Sequence, residues 1–254
     1  MPNPLLQLAA HVDKLVREQI FRQRDAKAFA LAAYADAEDS GEGQIFDRAL
    51  HPVSHPRLRR MLQRHRADEP RHARIRRERR DALALPVITI PAHLELVDRL
   101  SQAAGGVLDK AMDNDADLAD AWAMLYVIEE RALDEFKRSG DALAIAGDHE
   151  TSALFFSIRK DEERHLRYCL TVGHRYDPAG FDTRIDRMRA VELTTYGAQS
   201  RAWTRHQLES GYLKLPIALD VAVRGLMGLT EWLKMPALAP VVEEWVSRDE
   251  KLAA

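Results

Sequence analysis

The chain has 254 residues, 46% of them hydrophobic, and 37 basic against 40 acidic side chains leave a net charge of −3. That length supplies ample core, and the charge balance argues against a nucleic-acid partner. Its single cysteine, Cys169, excludes intrachain disulfides and any cysteine-rich zinc or iron–sulfur site. The N-terminal stretch carries no basic segment followed by a long apolar run, and nowhere do 18 apolar residues follow one another. These features lead us to expect a cytoplasmic protein.

Helical periodicity dominates the chain. The first long helix is expected from Val12 or Ala26 to Leu50, with an apolar stripe through Leu31, Tyr34, Ala35, Ile45, Phe46 and Ala49. Glu38 sits in the middle of that stripe and Glu42 near its edge. A turn at His51–Pro56 precedes a second helix, whose stripe reads Leu58, Leu62, His65, Glu69, His72. Pro70 interrupts it and should kink it. Its end is rich in arginine (Arg71, Arg74, Arg76, Arg77, Arg79, Arg80) and reads as a solvated, dipole-favoured terminus.

Residues 81–113 form a long connection with one short helix from His93 to Ala104, and Val87–Ile90 is the only stretch that reads as extended. A third helix is expected from Asn114 to Arg138, stopped by Ser139-Gly140, with Trp122, Leu125, Tyr126, Glu129, Leu133 and Phe136 on its stripe. The fourth runs from His149 to Val172, closed by Gly173, with Phe155, Ile158, Glu162, His165 and Cys169 inward. Asp177-Pro178-Ala179-Gly180 divides residues 1–177 from a C-terminal extension, 178–254. That extension carries helices from Thr183 to Ser210 and from Pro216 to Leu233.

Two words stand out, Glu69-Pro70-Arg71-His72 and Glu162-Glu163-Arg164-His165. Side chains three apart on a helix share a face, so each word aims a carboxylate and an imidazole at one point. Each is preceded, by roughly the length of a helical hairpin, by a lone carboxylate on an apolar stripe: Glu38 and Glu129. Glu42 is the rival of Glu38. Buried Glu and His side chains require partners or metal. His65, one turn before Glu69, is either a further ligand or a satisfied core histidine, and Tyr34 and Tyr126 either neighbour the site or pack the core. Oxygen and nitrogen donors without thiolate suit iron or manganese.

In these residues the chain resembles the ferritin-like di-iron carboxylate superfamily. Ile128-Glu129-Glu130-Arg131-Ala132-Leu133-Asp134-Glu135-Phe136 with Asp161-Glu162-Glu163-Arg164-His165 looks like the second helix pair of the tRNA-modifying di-iron hydroxylases. Ser40-Gly41-Glu42-Gly43 leading to the first word is similar to the ubiquinone-biosynthesis hydroxylases. The resemblance spans about residues 26–172. It implies an all-α, ferritin-like four-helix bundle with a long crossover, and two iron ions (or manganese) held by Glu38, Glu69, His72, Glu129, Glu162 and His165. It further implies an oxygen-dependent oxidase or hydroxylase acting on O2 and a small organic substrate, with electrons from a donor. Iron storage or detoxification and a helical interaction module with a vestigial site are the alternatives. The helix from Pro216 to Leu233 is apolar round most of its circumference and is expected to close the active-site mouth, with a homodimer interface or a membrane surface as the other readings.

Overall fold

The computed structural model describes residues 4–40, 42–50 and 52–240, and of residues 40 and 42–44 the backbone only. The described residues are all-helical: α1 (Pro4–Arg22), α2 (Arg24–Ser40), α3 (Glu42–Leu50), α4 (Pro56–Ala82), α5 (Leu96–Ala103), α6 (Asp115–Ile145), α7 (His149–Tyr176), α8 (Phe181–Glu209) and α9 (Ile217–Trp232). A single 3-10 turn, Ala92–Leu94, precedes α5. None of these helices is long and apolar enough to cross a membrane.

The centre is a hairpin of α6 and α7, whose pairing is the most extensive among the described helices. Both helices start on side-chain caps: Asn114 accepts from the Asp117 amide at 3.0 Å, and Asp148 from the Thr151 amide at 3.2 Å. A second pair, α2 with α4, packs against it through α4 and α7. The helix α8 lies along α6, α1 covers α2 and α6, and α9 rests on α1. The main core joins α3, α4, α5, α6, α7 and α8 around Trp122, Phe46, Leu62, Leu166 and Phe181. A smaller cluster of Phe21, Leu31, Phe136, Phe155 and Ile158 fills the other end of the two helix pairs.

Several sequence expectations need correction. A bend at Gln23 separates α1 from α2, so of the two expected starts of the first long helix the one near Ala26 matches, while Gly41, between Ser40 and Glu42, lies outside the described residues. Ser139-Gly140 does not stop α6, which runs on to Ile145, and Gly173 does not close α7, which reaches Tyr176. Both glycines serve close packing. A Cβ on Gly140 would lie 2.9 Å from the Phe156 ring, and one on Gly173 would lie 1.8 Å from the Phe181 ring. Val87–Ile90 forms no strand, and Ile90 instead packs beside Phe29, Ala33 and Leu94.

The arginine-rich end of α4 is not simply solvated. Arg76 is fully buried, and Arg79 is largely covered by its pairs with Asp148 and Glu150. Pro70 lies inside a helix that continues through it. Finally, α9 does not close the region where the carboxylates meet. It buries Val223 against a cluster of α1 residues and leaves Ile217, Val221 and Trp232 exposed. The helix α8 takes that covering position, because its Glu192 and Tyr196 can bind the buried Arg131 of α6.

Candidate metal centre

The buried face of α4 changes character along its length. Leu58 and Leu62 give way, at the same helical spacing, to His65, Glu69, His72 and Arg76. This polar half faces Glu38 of α2, Glu129 of α6, and Glu162 and His165 of α7. All six sequence-predicted ligands are buried, and so is His65.

Their donor atoms form two overlapping groups. Atoms of His65, Glu69, Glu129 and His165 all lie within 4.8 Å of one another, and so do atoms of Glu38, Glu69 and His72. Glu69 belongs to both groups. Glu162 spans them as well: its two oxygens lie 3.1 Å from His72 Nδ1 and 2.7 Å from His165 Nδ1. Glu38 Oε2 sits 3.1 Å from His72 Nδ1. His65 Nε2 sits 2.9 Å from a carboxylate oxygen of Glu69 and 2.9 Å from one of Glu129.

The two halves of the centre brace one another. Each word is preceded by an aspartate and carries an arginine in its third position, so they read in full Asp68-Glu69-Pro70-Arg71-His72 and Asp161-Glu162-Glu163-Arg164-His165. His72 Nε2 meets Asp161 Oδ2 at 3.3 Å, and His165 Nε2 meets Asp68 Oδ2 at 3.3 Å, each across to the opposite helix. Arg71 pairs with Asp161 at 2.5 Å and Arg164 with Asp68 at 2.5 Å. A histidine whose far nitrogen donates to a carboxylate has its tautomer and ring plane set and its ligating nitrogen made more basic. Sequence reading missed Asp68, Asp161, Arg71 and Arg164. The signal was the identical flanking of the two words.

The electrostatics follow from crowding four carboxylates into a buried space. Burial opposes charge on His72, but the Glu162 and Glu38 carboxylates outweigh it and push the imidazole up to about 10. His165 is likewise raised against its burial, by Glu162 and Asp68. Burial also opposes charge on Glu38, yet the Arg76 guanidinium and His72 hold its carboxyl below the usual range. Burial and the adjacent His165 keep His65 well below the ordinary imidazole value. In the metal-free cluster the carboxylates are thus set against His72, His165 and the Arg76 guanidinium. Divalent cations would take over that role, and the mixed Glu/His donor set suits them.

Arg76 donates from Nη1 to Glu38 Oε1. Its guanidinium carbon lies 4.7 Å from the centre of the Phe136 ring, and the Tyr34 and Phe155 rings are also within cation–π distance. A cavity of about 80 Å³ opens against Glu38, Glu69, Glu129 and Glu162. Leu96, Val97, Leu100, Ile128, Ala132 and Phe136 wall it, and Tyr196 and Trp203 of α8 contribute to its lining.

Of the remaining sequence-predicted residues, Tyr34 lines this cavity, and its hydroxyl meets Ser139 at 2.8 Å and Glu135 at 3.2 Å. Tyr126 stands apart in the main core, its charged neighbours being Glu130 and Arg189 rather than the clustered carboxylates. The side chain of Glu42 lies outside the described residues, whereas Glu38 is in the cluster. No known protein family, curated protein or solved structure matches this chain.

Proposed function

We propose that this protein is a ferritin-like four-helix bundle, built on α2, α4, α6 and α7, that holds two iron ions and uses O2 to oxidise a small organic substrate. Manganese is the alternative metal. The observation that carries this reading is the pair of overlapping donor groups, joined through Glu69 and spanned by Glu162, each with its own histidine and carboxylate. Shared carboxylates between two histidine-capped positions hold two ions together; a single-ion site needs no such duplication.

The metals would supply the redox chemistry. Hydroxylation places one oxygen atom of O2 in a substrate C–H bond and reduces the other to water, drawing two electrons and two protons from an external donor. This chain's own residues do the rest. Glu38, Glu69, His72, Glu129, Glu162 and His165 hold the ions, Asp68 and Asp161 orient the two imidazoles, and the apolar walls orient the substrate and exclude water. That apolar cavity, opening directly on the carboxylates, favours oxidation of an organic molecule over storage of iron, which has no use for it.

Anaerobic reconstitution with Fe(II), followed by metal analysis, should give two irons per chain. Glu162→Ala or His72→Ala should lower that content sharply. Exposure to O2 should then consume oxygen in a substrate-dependent way. Wild-type protein that retains neither iron nor manganese would end the proposal. Oxygen uptake indifferent to every organic compound tried, with iron accumulating beyond two per chain, would move it to storage.

A further inference from the structure

We infer that the two metal positions are inequivalent: His65 gives the position beside Glu129 a third side chain of its own, so that position fills first. The position beside Glu38 then keeps the open coordination sites. The inference rests on the dimetal reading above and goes beyond it in assigning His65, Arg76 and an order of loading.

The donor inventory is uneven. Glu69 belongs to both groups, and Glu162 lies between their histidines, His72 and His165. The position beside Glu38 adds only Glu38 and His72, while the other adds Glu129, His165 and His65. His65 is fully buried, and its Nε2 lies 2.9 Å from Glu69 and 2.9 Å from Glu129. One ring nitrogen carries at most one hydrogen, so it can donate to only one of those oxygens at a time. A cation placed among the three atoms engages all of them. The ring is held for that task by its neighbours: it stacks on His165 at a centroid distance of 3.7 Å and packs on Phe46 at 4.1 Å.

Arg76 acts in the opposite sense on the other position. Its Nη1 occupies Glu38 Oε1, which leaves Oε2, the oxygen facing His72, as the one available for a metal. The guanidinium also places a fixed positive charge beside that position. Fewer donors and a nearby cation both weaken binding there. Both also leave room at that ion for an exogenous ligand. The apolar cavity borders Glu38 as it borders Glu69, Glu129 and Glu162, so a ligand at the less saturated metal would also lie against it.

The test is an anaerobic Mn(II) titration of the full-length protein, followed by the EPR signal of free Mn(II). Two steps are expected, the first at least roughly tenfold tighter than the second. Pulsed EPR of the half-loaded wild type should show nitrogen couplings from two imidazoles, His65 and His165. His65→Ala should weaken the first step roughly ten- to hundredfold. Glu38→Ala should preserve the first step and remove the second. The pulsed-EPR arm uses wild-type protein only, so it stands even if a variant misfolds. A single imidazole on the first-bound ion, or a first step indifferent to His65→Ala, would overturn the inference while leaving the dimetal reading intact. Wild-type protein that binds no Mn(II) or Fe(II) at all would overturn both.

Discussion

Two regions depart in opposite directions from the rule that charge lies outside and apolar surface inside. Beneath α4 and α7, Glu38, Glu69, Glu129, Glu162 and three histidines are buried together. On α9, Ile217 is 86% exposed, Trp232 79% and Val221 66%. The first departure is compensated locally: each charge has a partner within ion-pair distance, in donor groups that could hold a metal ion. The second has no compensation within the described chain. Its inner face, Val223 with Leu219, Leu226 and Met227, packs on α1, while Ile217, Val221 and Trp232 stay exposed among the described residues. Buried charge is thus tolerated only as a network, whereas exposed apolar surface costs folding little because the unfolded chain exposes it too.

Arg76 carries the largest expected effect on the buried charges. Arg76→Met removes the guanidinium paired with Glu38, a carboxylate that remains buried, and should destabilise the metal-free protein by about 3–5 kcal/mol. Chemical denaturation of apo and metal-loaded protein checks it. Loading with Mn(II) should recover part of the loss, since a bound cation also neutralises Glu38. A loss below about 1 kcal/mol would mean that Glu38 finds another partner.

A second buried pair gives a pH test away from the buried Glu/His cluster. Arg17 binds Glu135 at 2.7 Å, and although burial opposes the charge, Arg17 pulls that carboxyl down to about 2 from 4.5. The folded value lies below the unfolded one, so the pair's stabilisation is present above pH 4.5 and is lost as pH falls towards 2. Its size is about 3 kcal/mol as an upper bound. Denaturation midpoints measured across that window should fall in wild type, and Glu135→Gln should flatten this part of the profile.

The smallest effects belong to α9, where the two faces serve as each other's control. Val223→Ala, on the packed face, should cost about 1–2 kcal/mol. Ile217→Ser, Val221→Ser and Trp232→Ser should each stay within about 0.5 kcal/mol. Thermal denaturation of the four variants reads both. A large loss from an exposed-face substitution would show that this face is covered in the folded protein in solution.

Much of the site was legible because its information is local. Helical spacing alone places Glu69 with His72 and Glu162 with His165, and the apolar stripes carry Glu38 and Glu129 inward at matching positions. The absence of cysteine partners narrows the donor set to oxygen and nitrogen. The cross-braces from Asp68 to His165 and from Asp161 to His72 are not local, since they join helices far apart in sequence, although the repeated Asp-Glu-x-Arg-His wording announces them. Sequence periodicity marked His65 as inward-facing, but only packing placed its Nε2 between Glu69 and Glu129.

What the amino-acid sequence determined by itself was the all-helical class and which of its inward-facing Glu and His side chains share a helix face, because helix periodicity depends on neighbours three and four residues away. Tertiary structure decided the rest. Gly140 and Gly173 look like helix stops in one dimension, yet they are contact points for Phe156 and Phe181, so both helices continue. Arg76 looks like part of a solvated basic end, yet it is drawn inside by Glu38 and the Phe136 ring. The apolar pattern of α9 predicted a cover for the site, but α8 holds that place through Glu192 on Arg131. A helix's hydrophobicity says that it needs a surface; which surface depends on the partners that the rest of the chain brings within reach.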